Sequence, residues 1–385
     1  MGFPAALAIV LIGIVFFASG LVVNLVQAVT FLFFRPFSKG LYRRINKVVA
    51  EMLWLELIWL VDWWANLKVE VYADDETFNL LGKEHAMLLS NHRSDVDWLI
   101  GWVLAERSGC LGSSLAIMKR ENKWLPVNNR LVNVVFGLCV SDEKLGQGRK
   151  HIEGLQSGFE RLVDFPMPFW LAVFAEGTRF TQAKLEAAQE FAAAKGLPSP
   201  RNVLIPRTKG FVSAVTHLRA FVPAIYDCTV AVPKDQPSPT LLRMFRRQAS
   251  VINVKIKRHP MHELPETADG ISQWCKDLFI AKDAALDKFL VKDTFSERKH
   301  DIGRPKKSLC VAIVWSTLLV WAIASLFQWL SHLGSWVVIA ILVTLLVIIM
   351  IGMHILIQSS ESEHSTPARN VTVVCDGVQD RLIQK

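Results

Sequence analysis

The 385-residue sequence predicts an α/β fold with a mixed sheet flanked by helices, an N-terminal membrane segment and a C-terminal transmembrane helical hairpin. Short β-like runs alternate with helical stretches between residues 68 and 300, which is the pattern of α/β domains. The apolar residues, 51% of the chain, are concentrated near its two ends. Charged residues make up only 20%, the opposite of the balance in a disordered protein. The six cysteines include no CxxC pair, so the sequence does not indicate a structural zinc site or a redox-active cysteine pair.

The N-terminal segment carries no charged side chain over residues 1–34. As a single helix, residues 4–34 would measure about 46 Å, against a hydrocarbon core of roughly 30 Å. We therefore expect this segment either to cross the membrane with a tilt or to lie partly in the membrane interface. Residues 52–64 contain four tryptophans interleaved with Glu56 and Asp62. This mixture predicts a helix that lies in the interface without spanning it.

The C-terminal region contains two uncharged runs, 309–330 and 336–357, separated by five residues. Each run is long enough to cross a bilayer, so together they predict a transmembrane hairpin. Lys and Arg residues follow the N-terminal segment and precede the hairpin, which predicts a cytosolic middle region. The predicted organisation is a membrane or interfacial segment, a cytosolic domain, two transmembrane helices and a cytosolic tail, at 1–67, 68–308, 309–357 and 358–385.

The predicted domain is divided into strands and helices by its hydrophobic patterning. Gln182 to Lys195 is rich in Ala and Glu and is followed by Gly196, a typical helix stop. The predicted strands cover residues 86–90, 169–175, 203–206, 220–226 and 251–257, and the predicted helices cover residues 96–106, 182–195, 269–279 and 283–289.

The first candidate site is the sequence SNHRSDVDW, residues 90–98, which joins a predicted strand to a helix. His92 and Asp97 are five residues apart, so on one helix they would point about 140° apart. They can pair only if His92 lies in the loop and Asp97 faces back from the first helical turn. Such a pair could act as a general base whose tautomer is fixed by the acid. The alternative is a capped helix with a structurally satisfied histidine.

Three further segments place cations beside glycine or aromatic residues. FAEGTRF, residues 174–180, puts acidic and basic side chains at a strand end, where ligands collect in α/β sheets. Arg179 could clamp a phosphate, although a surface ion pair is the alternative. IPRTKGF (205–211) and KRENKWLP (119–126) add further cations. The net charge of +8 suits an anionic partner, but no segment matches a nucleic-acid-binding module, so no nucleic acid partner is expected.

In this order and at these separations, NHRSDVDWL, KRENKWLP, FAEGTRF and IPRTKGF resemble the four motif blocks of the glycerolipid acyltransferases. The chain is most similar to the 1-acyl-sn-glycerol-3-phosphate acyltransferases of that family, especially the plant endoplasmic-reticulum form. The resemblance implies that His92 is the catalytic base and that Asp97 is its partner. It implies phosphate-binding roles for Lys119, Glu176, Gly177, Arg179, Arg207 and Lys209. Relatives usually have a small polar residue where this chain has Phe180.

The activity implied by the resemblance is acyl transfer from acyl-CoA to the sn-2 hydroxyl of lysophosphatidic acid, which gives phosphatidic acid. No metal or cofactor is expected, with acyl-CoA, lysophosphatidic acid and the lipid bilayer as partners. The implied location is the endoplasmic reticulum membrane, with several crossings and the catalytic domain in the cytosol. Because no Cys or Ser lies beside the histidine in a nucleophile elbow, direct transfer is favoured over an acyl-enzyme. A different lysophospholipid or glycerol-3-phosphate as acceptor, and a non-catalytic lipid-binding protein, remain as alternatives.

Overall fold

A computed structural model describes residues 3–118, 137–139 and 158–333, together with the isolated positions 340, 344, 347 and 348. The segment KRENKWLP with Lys119, most of the predicted second transmembrane run and the tail lie outside these residues.

Helices and strands alternate through the described part of the domain. The strands are β1 (Lys68–Tyr72), β2 (Ala86–Ser90), β3 (Ser114–Met118), β4 (Gly137–Cys139), β5 (Trp170–Val173), β6 (Ala224–Ala231), β7 (Val251–Pro260) and β8 (Lys299–His300). The α-helices are α1 (Phe3–Phe34), α2 (Lys39–Trp59), α3 (Asp75–Leu80), α4 (Asp97–Arg107), α5 (Gln182–Lys195), α6 (Thr208–Leu218), α7 (Leu241–Phe245), α8 (Ala268–Lys292) and α9 (Lys307–Leu333).

The strands form one mixed sheet in the order β4-β3-β5-β2-β6-β7-β1-β8. Neighbouring strands from β4 to β6 are parallel, and β7 is antiparallel to β6. β1 is parallel to β7 and β8 is antiparallel to β1. The predicted mixed sheet flanked by helices is therefore confirmed. The carboxyl ends of β2, β5 and β6 lie at the same edge of the sheet.

The sheet separates two apolar cores. Along β2, Ala86 and Leu88 face a core formed with α2 and α4, whereas Met87 and Leu89 face a core formed with α6 and α8. All four side chains are buried. Burial on both faces explains why this strand has an unbroken apolar sequence and no alternation.

Several predicted elements have different bounds in the structure. Residues 203–206 are not a strand, because the backbone N–H of Leu204 donates to the Glu176 side chain and not to a neighbouring strand. The strand predicted at 220–226 begins later, at Ala224, and extends to Ala231. The two helices predicted at 269–279 and 283–289 are the single helix α8, whose continuity places Lys282 in the protein interior. β1 was not among the predicted strands.

The tryptophan-rich stretch at 52–64 packs largely against the described domain, although Trp59, Trp63 and Trp64 are only half-buried. Its predicted position in a membrane interface stays a prediction. The stretch forms the end of α2 and a π-helical turn, Leu60–Trp64, in which Leu60, Val61 and Asp62 are buried. Trp54 is 8% exposed and packs edge-to-face on Trp102 of α4, with ring centroids 5.6 Å apart. Aromatic side chains suit a membrane interface and a packed core equally well, so composition alone does not distinguish the two.

Two stretches, Ala8–Phe34 and Lys307–Leu330, are long and apolar enough to cross a membrane. In an apolar 18-residue window of each stretch, only 28% and 6% of the residues, respectively, are buried in the described structure. α1 is one continuous helix, and α9 covers the first predicted transmembrane run, 309–330. Length and composition make both helices candidates for membrane spans without determining how the chain is oriented.

The segment before α9, residues 298–307, is attached to the domain by its basic side chains; we call it the basic connector. Its contacts pair Arg298 with Asp75, Lys299 with Glu70, Lys307 with Glu51, and Arg304 with Asn66 and the carbonyl of Leu67. These cations therefore fix the start of α9 against the sheet and α2.

Candidate active site

The candidate site lies at the carboxyl edge of the parallel strands, where the chain leaves β2 and β5. The loop after β2 carries His92 and leads into α4, and the loop after β5 carries Glu176, Gly177 and Arg179. A backbone hydrogen bond of 2.8 Å from the N–H of Phe180 to the carbonyl of His92 joins the two loops. The sheet thus brings together two motifs that are more than 80 residues apart.

His92 and Asp97 form the pair that their spacing predicts. Asp97 is the first residue of α4, and its Oδ2 lies 2.9 Å from Nδ1 of His92 and accepts the backbone N–H of Ser94 at 2.7 Å. The Asp97 side chain is 3% exposed and the His92 side chain 20% exposed. Nε2 of His92 has no hydrogen-bond partner among the described residues. With Nδ1–H donating to the acid, the lone pair of Nε2 is able to accept a proton.

The backbone around His92 is held by two side chains that do not touch its ring. Asn91 is fully buried, donates from Nδ2 to the carbonyl of Val230 at 3.0 Å and accepts the N–H of Val230 at 2.8 Å. The Asn91 side chain thus continues the hydrogen bonding between β2 and β6 beyond the last backbone pair of β2. Oε1 of Glu176 accepts the N–H of His92 at 2.8 Å, and Oε2 accepts the N–H of Leu204 at 3.0 Å. The position of His92 is therefore fixed from two neighbouring strands.

Glu176 is only 2% exposed, and burial raises its pKa to about 8 against the opposing effect of the two N–H donors. Both carboxylate oxygens are engaged by backbone groups, so the structure gives this side chain a supporting contact with the His92 loop. The phosphate contact implied for Glu176 by the resemblance stays a prediction, and a buried acid is poorly suited to approach a phosphate.

Gly177 and Arg207 lie against each other on the exposed side of this loop. Gly177 has φ of +68°, and a Cβ built there would lie 3.0 Å from Cδ of Arg207. The position therefore requires glycine both for its backbone conformation and for the space that the arginine occupies. The N–H of Arg207 donates to the carbonyl of Ala175 at 2.6 Å, which fixes the start of α6 next to the strand end.

Arg179 is half-buried and lies near the His92 loop. Burial raises the pKa of Asp95, while its hydrogen bonds with Leu241 and Ser94 and the nearby charge of Arg179 oppose that rise. Lys184, one turn into α5, donates to the hydroxyl of Thr178 at 2.8 Å and to the carbonyl of Arg179 at 3.2 Å. Lys184 thus holds the loop that presents Arg179.

Lys209 is exposed in the first turn of α6 and contacts none of the other candidate residues in the described part of the chain. Lys119 lies outside the described residues. The structure therefore brings together His92, Asp97, Glu176, Gly177, Arg179 and Arg207. Sequence analysis missed the contributions of Asn91 and Lys184, since their partners are recognisable only in the folded chain.

A buried ion pair lies behind the site. Lys282 of α8 is fully buried, and its Nζ contacts the carboxylate of Asp227, the carbonyl of Cys228 at 2.7 Å and the hydroxyl of Thr229 at 3.2 Å. All three partners belong to β6, the strand that Asn91 also engages. The pair attaches α8 to the strand that holds the His92 loop.

An acid-oriented histidine beside arginines, on a mixed α/β sheet, can accept the proton of a hydroxyl and hold an anionic substrate near it. This is the arrangement of a group-transfer enzyme that acts on a charged acceptor. The chain belongs to the acyltransferase family: residues 68–232 match its family model, and residues 243–315 match the model for the acyltransferase C-terminus.

Named relatives cover almost the whole chain. The chain is 59% identical to 1-acyl-sn-glycerol-3-phosphate acyltransferase 3 of Arabidopsis thaliana, over 96% of this chain and 97% of the relative. It is 57% identical to 1-acyl-sn-glycerol-3-phosphate acyltransferase 2 of Brassica napus, over 95% and 93%. It is also 36% identical to the gamma form of Mus musculus, over 80% and 81%. The resemblance identified from the four motif blocks is confirmed.

Proposed function

We propose that this protein transfers an acyl group from acyl-CoA to the sn-2 hydroxyl of 1-acyl-sn-glycerol-3-phosphate (lysophosphatidic acid) and so forms phosphatidic acid. The observation that carries the proposal is the 2.9 Å contact between Nδ1 of His92 and Asp97, with Nε2 directed away from the acid. The names of the relatives supply the acceptor, and the acyl-CoA donor is the one implied by the motif resemblance.

In the proposed reaction, Nε2 of His92 removes the proton of the acceptor hydroxyl as its oxygen attacks the thioester carbonyl carbon. The new ester C–O bond forms, the C–S bond breaks, and the proton passes from His92 to the departing CoA sulfur. Asp97 fixes the tautomer and stabilises the imidazolium that forms transiently. Arg179 and Arg207, with Lys119 and Lys209, bind the phosphate groups of the two substrates. No cofactor or metal takes part.

The proposed location is the endoplasmic reticulum membrane, with several crossings and the site on the cytosolic side. The apolar exposure of α1 and α9 supports a membrane attachment. Acyl chains partition into the bilayer, so an attached domain meets its lipid substrate at the surface.

The test uses the purified full-length chain in lipid nanodiscs, with labelled acyl-CoA and lysophosphatidic acid. We expect phosphatidic acid as product, and a loss of about 10²- to 10⁴-fold in His92→Ala, the range for removal of a general base. His262→Ala, at an exposed histidine outside the site, is the matched control and should leave the rate unchanged.

Parallel assays with glycerol-3-phosphate and with a choline lysophospholipid compare the alternative acceptors. If acyl transfer to either of these is faster than to lysophosphatidic acid, that compound is the acceptor and the proposal is wrong on this point. A His92→Ala protein of unchanged thermal stability and near-normal turnover would refute the general-base mechanism.

A further inference from the structure

Arg93 and Phe180 form a contact between the two loops of the candidate site. The guanidinium carbon of Arg93 lies 5.1 Å from the centroid of the Phe180 ring, within the range of a cation–π interaction. Arg93 directly follows His92, and the backbone N–H of Phe180 donates to the carbonyl of His92. The side-chain contact therefore adds to a backbone hydrogen bond that already joins the two loops at His92.

Arg93 is exposed, and within the described ranges its side chain makes no hydrogen bond or ion pair. The acids that interact electrostatically with it are Asp97, Glu176 and Asp283. Each of these is already engaged: Asp97 with His92, Glu176 with two backbone N–H groups, and Asp283 with the N–H of Asn202. No group in the described part of the chain therefore occupies the guanidinium donors, which are available to a ligand.

Contact with the Phe180 ring restricts how the Arg93 guanidinium can turn, and its N–H donors lie in the guanidinium plane. This geometry suits a tetrahedral oxyanion such as phosphate, which can accept two parallel hydrogen bonds from one guanidinium. The aromatic ring supplies the flat support, and a small residue at position 180 would not. The proposed substrates both carry phosphate: a monoester on the acceptor, and several phosphates on CoA.

We propose that Arg93 binds a substrate phosphate beside His92 and that Phe180 is its positioning residue. The inference rests on the proposed function, because that function supplies the phosphate-bearing substrates. The phosphate belongs either to lysophosphatidic acid or to CoA, and the experiment separates the two.

The experiment measures kcat and both KM values for the full-length protein in nanodiscs. Arg93→Ala should raise the KM of one substrate by about 10- to 100-fold, the loss expected for a charge-assisted bidentate contact. Arg93→Lys should recover only part of this, and Phe180→Leu should raise the same KM by a smaller factor. Arg246→Ala is the matched control, since this exposed arginine contributes no contact to the site.

A rise confined to the KM of lysophosphatidic acid assigns Arg93 to the acceptor phosphate. A rise confined to acyl-CoA, which disappears when an acyl-pantetheine thioester without CoA phosphates replaces it, assigns Arg93 to CoA. If kcat falls while both KM values stay unchanged, Arg93 only balances the charges of Asp97 and Glu176, and the proposal is overturned. Unchanged kinetics in all Arg93 variants overturn it as well.

Failure of the proposed function is a separate outcome. If the wild-type protein does not acylate lysophosphatidic acid, binding of CoA and of lysophosphatidic acid is titrated on His92→Ala with and without Arg93→Ala. Weaker binding of either ligand in the double variant supports the phosphate contact even then. Equal binding in the two proteins refutes it.

Discussion

Replacing Glu176 with glutamine removes one acceptor from the support of the His92 loop. The carboxyl group accepts N–H groups from His92 and Leu204 at 2.8 and 3.0 Å, one on each oxygen. In either protonation state both oxygens keep a lone pair for an N–H, but the amide nitrogen of glutamine has none. One backbone donor in Glu176→Gln must therefore face an NH2 group in a site that excludes water.

The cost of this change is about 1–3 kcal/mol, the penalty for a buried donor left without an acceptor. If the whole of this cost destabilises the position of His92 in the transition state, kcat drops by about 5- to 150-fold. The KM of lysophosphatidic acid should change little, because the carboxylate faces backbone groups. Glu190→Gln, at an exposed glutamate on α5, is the control and should leave kcat unchanged.

The assay is steady-state acyl transfer with both substrates varied in turn. A raised KM for lysophosphatidic acid with unchanged kcat would refute the supporting role and favour the phosphate contact implied by the motif resemblance. Intact kcat together with intact KM would show that the loop tolerates an unpaired donor.

The pH dependence of stability gives a second measurement on the same pair of proteins. Burial raises the pKa of Glu176 from 4.5 to about 8, so the folded state holds its proton more tightly than the unfolded state. The contribution of Glu176 to the unfolding free energy is complete below pH 4.5 and is lost as the pH rises towards 8. The difference in Tm between wild type and Glu176→Gln should therefore narrow from pH 5 to pH 8, and a widening difference contradicts this reasoning.

Two further predictions concern the fold and the membrane topology. Lys282→Met leaves the Asp227 carboxylate without its buried cation and should lower the unfolding free energy by about 3–5 kcal/mol. Lys288→Met, on the exposed side of α8, is the control and should not lower it. Equal Tm values in the two variants would contradict a stabilising role of the ion pair. Asn370 fits the glycosylation pattern Asn-x-Thr, and we expect it to stay unmodified because the tail is predicted to be cytosolic. A glycosidase-sensitive mobility shift that Asn370→Gln abolishes would place the tail in the lumen.

The contact between His92 and Asp97 could be predicted from the sequence because its geometry is local. His92 and Asp97 are five residues apart at the start of a helix, so strand, loop and first turn determine their contact. Glu176 and Asn91 could not be assigned in the same way. Leu204 is 28 residues beyond Glu176, and Val230 is 139 residues beyond Asn91, so only the order of the strands brings these groups together.

Two segments show how contacts with residues far along the chain limit what local composition can predict. Residues 203–206 have the composition of a strand, but they lack a neighbouring strand because Glu176 takes the N–H of Leu204. The stretch 52–64 has the aromatic content of an interfacial helix, and one of its tryptophans, Trp54, also packs on Trp102 of α4. In each case the packing of the segment depends on a side chain that is distant in the sequence. Local composition carries no information about that partner.

The basic connector determines how freely the catalytic domain can move relative to α9. Its ion pairs reach β1, α2 and α3 through Glu70, Glu51 and Asp75. A flexible linker would let the domain sample many heights above a bilayer, whereas a connector fixed at several points transmits the tilt of the helix to the sheet. If α9 spans the membrane as proposed, a thicker or thinner bilayer that changes its tilt also changes the height and angle at which His92 meets the lipid surface.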